Sequence, residues 1–345
     1  MPISRIDAEA NSVHPSPHNL SQEATGSAAP KAKSVLVIGY SQSGQLTRIA
    51  ERILAPLRQA GDIELRVETL RPRQPYPFPW TFFSFLDAFP ESAHLVAPAL
   101  EPLTLRGDED FDLVILTYQV WFLAPSLPVT AFLKHPVAQR LLSGKPVVTV
   151  IACRNMWMLA QEKMKQLLTQ CGARLIDNVV LCDPSPTLVT LVTTPYWLLT
   201  GRKRLLALPP AGIDELSVQQ AERFGCALRD GLRHDAERGQ APMLQGLGAC
   251  VADPRLYLSE RAGTRSFYLW GKLLRAAGEP GTLWRRPLLM LYLVFLVLLI
   301  LSVVPLSLLL QAALRPLLTR QLAALKLRFE LPSGSGQERM ELYVH

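Results

Sequence analysis

SVLVIGYSQSGQLT, residues 34–47, decides how the rest of this 345-residue chain is read. Its first half is a β-branched run and its second a hydroxyl-rich, glycine-containing turn that opens into an amphipathic stretch. Apolar Ile49, Ile53, Leu54 and Leu57 on that stretch recur at helical spacing. A strand, a tight turn and a helix start in that order form the first half of a βαβ unit. Backbone N–H groups at the helix start carry partial positive charge, and Gly44 lets the main chain approach a ligand closely. Ser41, Ser43 and Thr47 add hydroxyls, with Gln42 and Gln45 between them. A phosphate monoester suits this loop. There is no Walker lysine and no GxGxxG, which argues against ATP and ordinary dinucleotides; a Ser/Gly turn capping a helix is the plainer alternative.

Outward from that turn, four more strands are predicted over residues 64–70, 111–117, 146–152 and 175–182, with a further helix over 157–171. Five strands with crossover helices predict an α/β, doubly wound parallel sheet over residues 33–185. Ligands of such sheets bind at the carboxyl ends of the strands. Two more loops belong to that edge. After the third strand come Tyr118, Gln119, Val120, Trp121 and Phe122, aromatics placed to stack on a flat ring. After the fourth come Cys153, Arg154, Asn155 and Trp157, a cation and an amide placed for a ring's polar rim. Taken singly, Trp121 and Trp157 also suit ordinary core packing.

Composition bounds the rest. Thirty-six Lys+Arg against 29 Asp+Glu leave +7, too mild an excess for a nucleic-acid binder and better matched to an anionic membrane surface. Five scattered cysteines and six dispersed histidines form no metal-ligand spacing, so free thiols in a reducing compartment and no metal site are expected. Residues 1–32 read as a solvated, disordered tail without the order of a secretory signal. Residues 186–283 read as a helical, interfacial substrate-access region. In 284–345, residues 287–310 form 24 positions without a charge, enough to span the bilayer core as a helix or to form a re-entrant hairpin bent at Pro305; a buried core helix is the alternative. The body is expected at the cytoplasmic face of the inner membrane, anchored by residues 287–310. Trp80, Phe83 and Phe85, in an aromatic stretch over 76–89, read as a substrate-access lid or interfacial anchor, or as a satellite cluster under a long loop. Asp87 and Glu91 beside them read as solvated carboxylates.

The turn Ser41-Gln-Ser-Gly-Gln-Leu-Thr47, the loop Tyr118-Gln-Val-Trp-Phe122 and the loop Cys153-Arg-Asn-Met-Trp157 together resemble the flavodoxin-like FMN proteins, over roughly residues 33–183. More narrowly, Tyr40-Ser-Gln-Ser-Gly-Gln, Pro75-Tyr-Pro-Phe-Pro-Trp80 and Phe89-Pro-Glu-Ser92, with the long tail, resemble bacterial proteins labelled dialkylresorcinol condensing enzymes. The resemblance implies strand order 2-1-3-4-5 and FMN with its phosphate on Ser41, Ser43, Gly44 and Thr47 and its ring between the other two loops. It also implies a role in making a resorcinol ring beside a pathway ketosynthase. The expected activity is oxidation of a lipid-like 2,5-dialkylcyclohexane-1,3-dione to the aromatic resorcinol. Arg154 and Asn155 would hold the enolate oxygen, and Tyr118 is a candidate proton-transfer group. The rivals are a membrane-associated NAD(P)H:quinone or FMN reductase and a non-catalytic membrane scaffold for the ketosynthase. Self-association is left open.

Overall fold

In the computed structural model, which describes residues 32–313 and 315–343, the chain alternates strand and helix from β1 (Lys33–Gly39) and α1 (Gln45–Gln59) to β2 (Ile63–Thr69). An insertion carrying α2 (Phe82–Asp87) and α3 (Phe89–Ala93) leads to β3 (Leu113–Trp121). Helices α4 (Leu127–Leu133) and α5 (Pro136–Leu142), strand β4 (Pro146–Cys153), α6 (Met158–Gln170) and β5 (Arg174–Cys182) complete the sheet. The five strands are parallel in the order β2-β1-β3-β4-β5, the flavodoxin-like doubly wound arrangement. The expected tail over residues 1–32 lies outside the described residues except for Ala32.

Successive strand residues point to opposite faces, so a strand apolar at every position is covered on both sides. Val35 and Val37 of β1 pack on one face with α1, whereas Leu36 and Ile38 pack on the other with α4, α5 and α6. The α1 face is completed from beyond residue 185. Helices α7 (Thr187–Thr200), α8 (Glu215–Gln220) and α9 (Glu222–Arg233) follow the sheet, and Phe224, Leu228 and Leu232 of α9 belong to the same core as Ile49 and Ile53. The boundary expected at 185/186 is therefore crossed by the core, and residues 213–249 cover the sheet instead of forming a separate interfacial region. The helices meet closely because position 225 is glycine: a Cβ there would lie 1.9 Å from the Ile53 carbonyl oxygen.

Helix α10 (Tyr257–Ala276) packs against α3 and carries the chain to α11 (Arg285–Ala313). The first turns of α11 are buried in an aromatic cluster, where Phe89 stacks on Tyr292 at 4.2 Å between centroids and Phe122 and Phe267 close the sides. Arg285, fully buried, lies between two carboxylates, 2.9 Å from Asp87 and 3.2 Å from Glu91. Asp87 and Glu91 are thus partly buried ion-pair partners, which corrects their expected solvation. Beyond Tyr292 the helix turns apolar side chains outward, including Val294, Leu298, Leu301, Leu306 and Leu309. It continues unbroken through Pro305, so the hairpin bend expected at that residue is not made there; α12 (Arg315–Glu330) follows. Helix α12 returns to the same unit. Phe329 enters the core, and the Ser333 hydroxyl accepts from the Asn178 N–H at 2.7 Å and donates to Asp177 at 2.7 Å. Together with residues 249–252 this segment covers the edge strand β5, which would otherwise offer unpaired backbone groups.

Because the Gly225 clash is with backbone, Gly225→Ala must push α9 off α1. A loss of about 1–3 kcal/mol is expected, read as a lower midpoint in thermal or urea unfolding; an unchanged midpoint would mean that this contact is not made.

Candidate functional site

The carboxyl ends of β1, β3 and β4 meet at one edge, and each ends in one of the three loops singled out from sequence. Gly39 closes β1 where a Cβ would lie 1.9 Å from the Thr117 hydroxyl, so only glycine lets the two strand ends lie side by side here. Gly44 then adopts φ +78° with open space above it and caps α1 without any side-chain bond. The N-terminus of this 15-residue helix, apart from the Thr47 N–H, has no side-chain cap, with Ser43 partly and Thr47 well exposed beside it. Ser41 turns back, its hydroxyl accepting from the Thr47 N–H at 3.4 Å.

The glutamines do other work, which corrects their assignment to the cofactor. The Gln42 side chain donates to the carbonyls of Tyr76 at 2.9 Å and Pro77 at 2.6 Å and accepts from the Tyr40 hydroxyl, tying the loop to the insertion. Gln119 accepts from the Gln42 N–H at 3.0 Å and ties the loop to β3. Gln45 is buried, exchanging two hydrogen bonds with the backbone of Ile213 at 2.9 and 3.1 Å. All three satisfy buried or half-buried backbone groups that a ligand-binding loop must otherwise leave to water.

The β3 loop is a two-residue hairpin in which Trp121 pairs with Ala124 and Val120 with Pro125. Its turn residues Phe122 and Leu123 have φ of 49° and 58°, positions usually given to Asn and Gly. Holding bulky residues there costs about 1–3 kcal/mol each, strain of a kind that gathers at functional sites. The turn aims the two rings apart. Trp121 faces Tyr40, Tyr76 and Trp80 with centroids 5.0–5.9 Å away, at the phosphate-loop side. Phe122 instead joins Phe85, Phe89 and Phe267 in the aromatic cluster, a correction to its place among cofactor contacts. Tyr118 is corrected as well: it lies within β3, fully buried, with its hydroxyl donating to Gln161 at 2.6 Å and burial pushing its pKa well up.

The β4 loop holds a guanidinium and one buried acceptor without a partner. The Arg154 guanidinium is partly buried, 3.4 Å from the Thr190 hydroxyl and 3.3 Å from the Met156 sulfur, and no carboxylate among the described residues ion-pairs with it. Desolvation pulls its pKa down. Asn155 donates to the Thr187 hydroxyl at 3.0 Å, while its Oδ1 is buried without a donor. A buried acceptor with no partner costs about 1–3 kcal/mol. Cys153 lies at the same edge, partly buried. Trp157, 1% exposed, has turned into the core and cannot stack on a ligand at the edge.

Sequence reasoning missed the group that holds this loop. Glu260 of α10 accepts from the N–H groups of Met158 at 3.3 Å and Leu159 at 2.8 Å, capping α6 where Trp157 offers no cap. It stands about a hundred residues away, and no local signal marked it. Of the substrate-access aromatics, Trp80 is buried and Phe85 largely packed; Phe83 is exposed under Arg286, 4.9 Å from its ring. Phe83 also lines a cleft of about 900 Å³ between the insertion and the root of α11. The cleft shares Tyr76 and Pro77 with the Gln42 contact and includes Arg275, Glu279 and Leu289.

No family model and no curated protein matches the sequence. Among solved structures, the chain is similar to a flavoprotein from Lactobacillus acidophilus in complex with FMN, with 18% identity over 43% of this chain and 93% of that one and a TM-score of 0.35. It is also similar to a flavodoxin from an archaeon, with 13% identity over 58% and 99% and a TM-score of 0.31. A third similarity is to a flavone reductase, with 11% identity over 60% and 65% and a TM-score of 0.33. The fold assignment rests on the strand order and register above.

Desolvation pushes Glu260 up to about 7 from an ordinary 4.5, against the pull of the N–H groups it caps. The folded protein then binds this proton more tightly than the unfolded chain does, so stability falls as pH rises through that window. In thermal unfolding between pH 5 and 8, Glu260→Gln should show a shallower decline than the parent while keeping the cap. Parallel curves would remove the assignment.

Proposed function

We propose that the protein binds FMN across the carboxyl edge of the sheet and is a flavin-dependent oxidoreductase. Its proposed reaction is the oxidation of a 2,5-dialkylcyclohexane-1,3-dione to the 2,5-dialkylresorcinol. The observation that carries the cofactor reading is the pairing of the helix start at Gly44, where only the Thr47 N–H is held by a side chain, with two groups two strands away on one edge: a guanidinium at Arg154 that pairs with no carboxylate among the described residues, and a buried amide oxygen without a donor at Asn155. The helix start, Ser43 and Thr47 would hold the phosphate. Asn155 Oδ1 would accept from a ring N–H, Arg154 would face a ring carbonyl, and Trp121 would wall the loop between them.

Bound FMN supplies the two-electron acceptor for loss of two hydrogens from the dione ring. Tyr118 is sealed in the core and supplies no base at the edge. A cyclic 1,3-dione needs little help to ionise, and Arg154 supplies a fixed positive charge for its enolate oxygen. The carbon–carbon bonds of the ring would be made beforehand by a separate ketosynthase.

The two alkyl chains account for the exposed apolar helix. Residues 285–302 form the one stretch among the described residues long and apolar enough to cross a membrane. Both Arg285 and Phe329 are rooted in the folded unit, which supports a helical pair that enters and leaves one leaflet. On this reading the cleft beside Phe83 and Leu289 admits substrate from the lipid at the cytoplasmic face.

The test is the visible spectrum of detergent-purified protein, which should show stoichiometric FMN bleached anaerobically by a dialkylcyclohexanedione with release of the resorcinol. Asn155→Ala and Arg154→Ala should each weaken FMN binding by about 5–30-fold, the worth of one hydrogen bond of about 1–2 kcal/mol to a neutral or charged group. Rapid bleaching by NAD(P)H alone would favour a reductase. A folded, colourless protein that ignores added FMN would leave the scaffold.

A further inference from the structure

The register of the sheet places two of the five cysteines opposite each other. Cys153 ends β4, Cys182 ends β5, and they are Cα partners in the parallel ladder. Their sulfurs are 3.7 Å apart, in van der Waals contact, and both residues are partly exposed at the same edge as Arg154 and Asn155. The strand ends are already clamped: the Asp183 N–H is shared between the carbonyls of Cys153 and Arg154, 3.1 Å from each. Neighbouring strands lie about 4.8 Å apart, within the Cα separation of about 4.4–6.8 Å that a disulfide bridges. Joining the sulfurs therefore calls for side-chain rotation and for the two Cβ atoms to close to the roughly 3.5–4.5 Å that a disulfide needs, a small adjustment at strand ends. By contrast Cys171 and Cys250 are buried, with their thiols directed at the carbonyls of Leu133 and Phe329.

We infer that Cys153 and Cys182 form a redox-active pair that closes to a disulfide in exchange with a low-molecular-weight disulfide. One thiolate of the pair attacks the small disulfide and expels a small thiolate. The second thiol, as its thiolate, then attacks the mixed disulfide and expels the other. Two protein thiols and one small disulfide become one protein disulfide and two small thiols, with the two electrons passing to the oxidant. A bond across the ends of β4 and β5 would fix the strand end from which Arg154 projects. The inference stands on the placement of the thiols and is independent of flavin binding.

The test exposes the full-length, detergent-purified protein to excess oxidised glutathione, blocks remaining thiols by alkylation and analyses the digest by mass spectrometry. The expected product is a peptide pair joined through positions 153 and 182, two mass units lighter than the free thiols and released by dithiothreitol. In Cys153→Ser, Cys182 should instead stop at the glutathione adduct. Full alkylation of both cysteines, glutathione adducts on both that never resolve, or a link from 182 to 250 would overturn the inference. The flavin content of the same sample, read from its spectrum, keeps this result separate from the cofactor reading.

Discussion

Arg285, with none of its side chain exposed and carboxylates at 2.9 and 3.2 Å, fixes how the apolar helix α11 joins the sheet. Removing one partner of such a buried pair costs about 3–5 kcal/mol, because the remaining charge cannot return to water. The two carboxylates come from α2 and α3, which grow out of the carboxyl end of β2, so the root of α11 is held at the edge that carries the candidate site. Phe89, stacked on Tyr292, adds apolar burial to the same joint, and the Ser92 hydroxyl donates to the Trp121 carbonyl at 2.9 Å. The exit of the helix and the strained β3 turn thus share one support.

The three loops divide their polar groups into two kinds. Gln42, Gln45 and Gln119 spend their amides on neighbouring backbone, which makes the loops rigid without a ligand. Gly44 leaves the start of α1 without a side-chain cap of its own, Arg154 meets only the Thr190 hydroxyl and the Met156 sulfur, and Asn155 keeps one acceptor without a partner. Rigid surroundings make the second group useful, since a preorganised site loses less entropy when something binds.

Much of this was legible in the sequence. Each of the five strands falls within about two residues of its expected start, because every strand reads as a short β-branched run and all but the half-exposed edge strand β2 are covered on both faces. Gly44, Arg154 and Asn155 were legible because a loop at a strand end is a local feature. Tyr118 was misplaced because β3 runs to Trp121, four residues past the expected end, which puts Tyr118 in the ladder instead of the loop. Trp157 sits in a loop as expected, but a ring of that size at the start of α6 gains more from the core than from the edge. The partners Glu260 and Arg285 are separated from their targets by about a hundred residues or more. Only the folded chain brings α10 to α6 and α11 to the insertion.

The charge balance around Arg154 explains how a guanidinium can stay available in a partly buried loop. Its nearest acidic surroundings are Asp183 and Glu260. Asp183 is committed elsewhere, accepting from the Gly212 N–H at 2.7 Å and the Ser185 N–H at 2.9 Å. Glu260 caps α6, and burial holds it near 7, so around neutral pH it carries less than a full negative charge. The carboxylates lower the cost of burying Arg154 through space without occupying its N–H donors. An arginine in a direct fork with a carboxylate would be more stable, but it would have to break that fork to receive a ligand. Through-space compensation leaves Arg154 charged with only the Thr190 hydroxyl and the Met156 sulfur on its donors, partners that are given up more easily than a carboxylate fork.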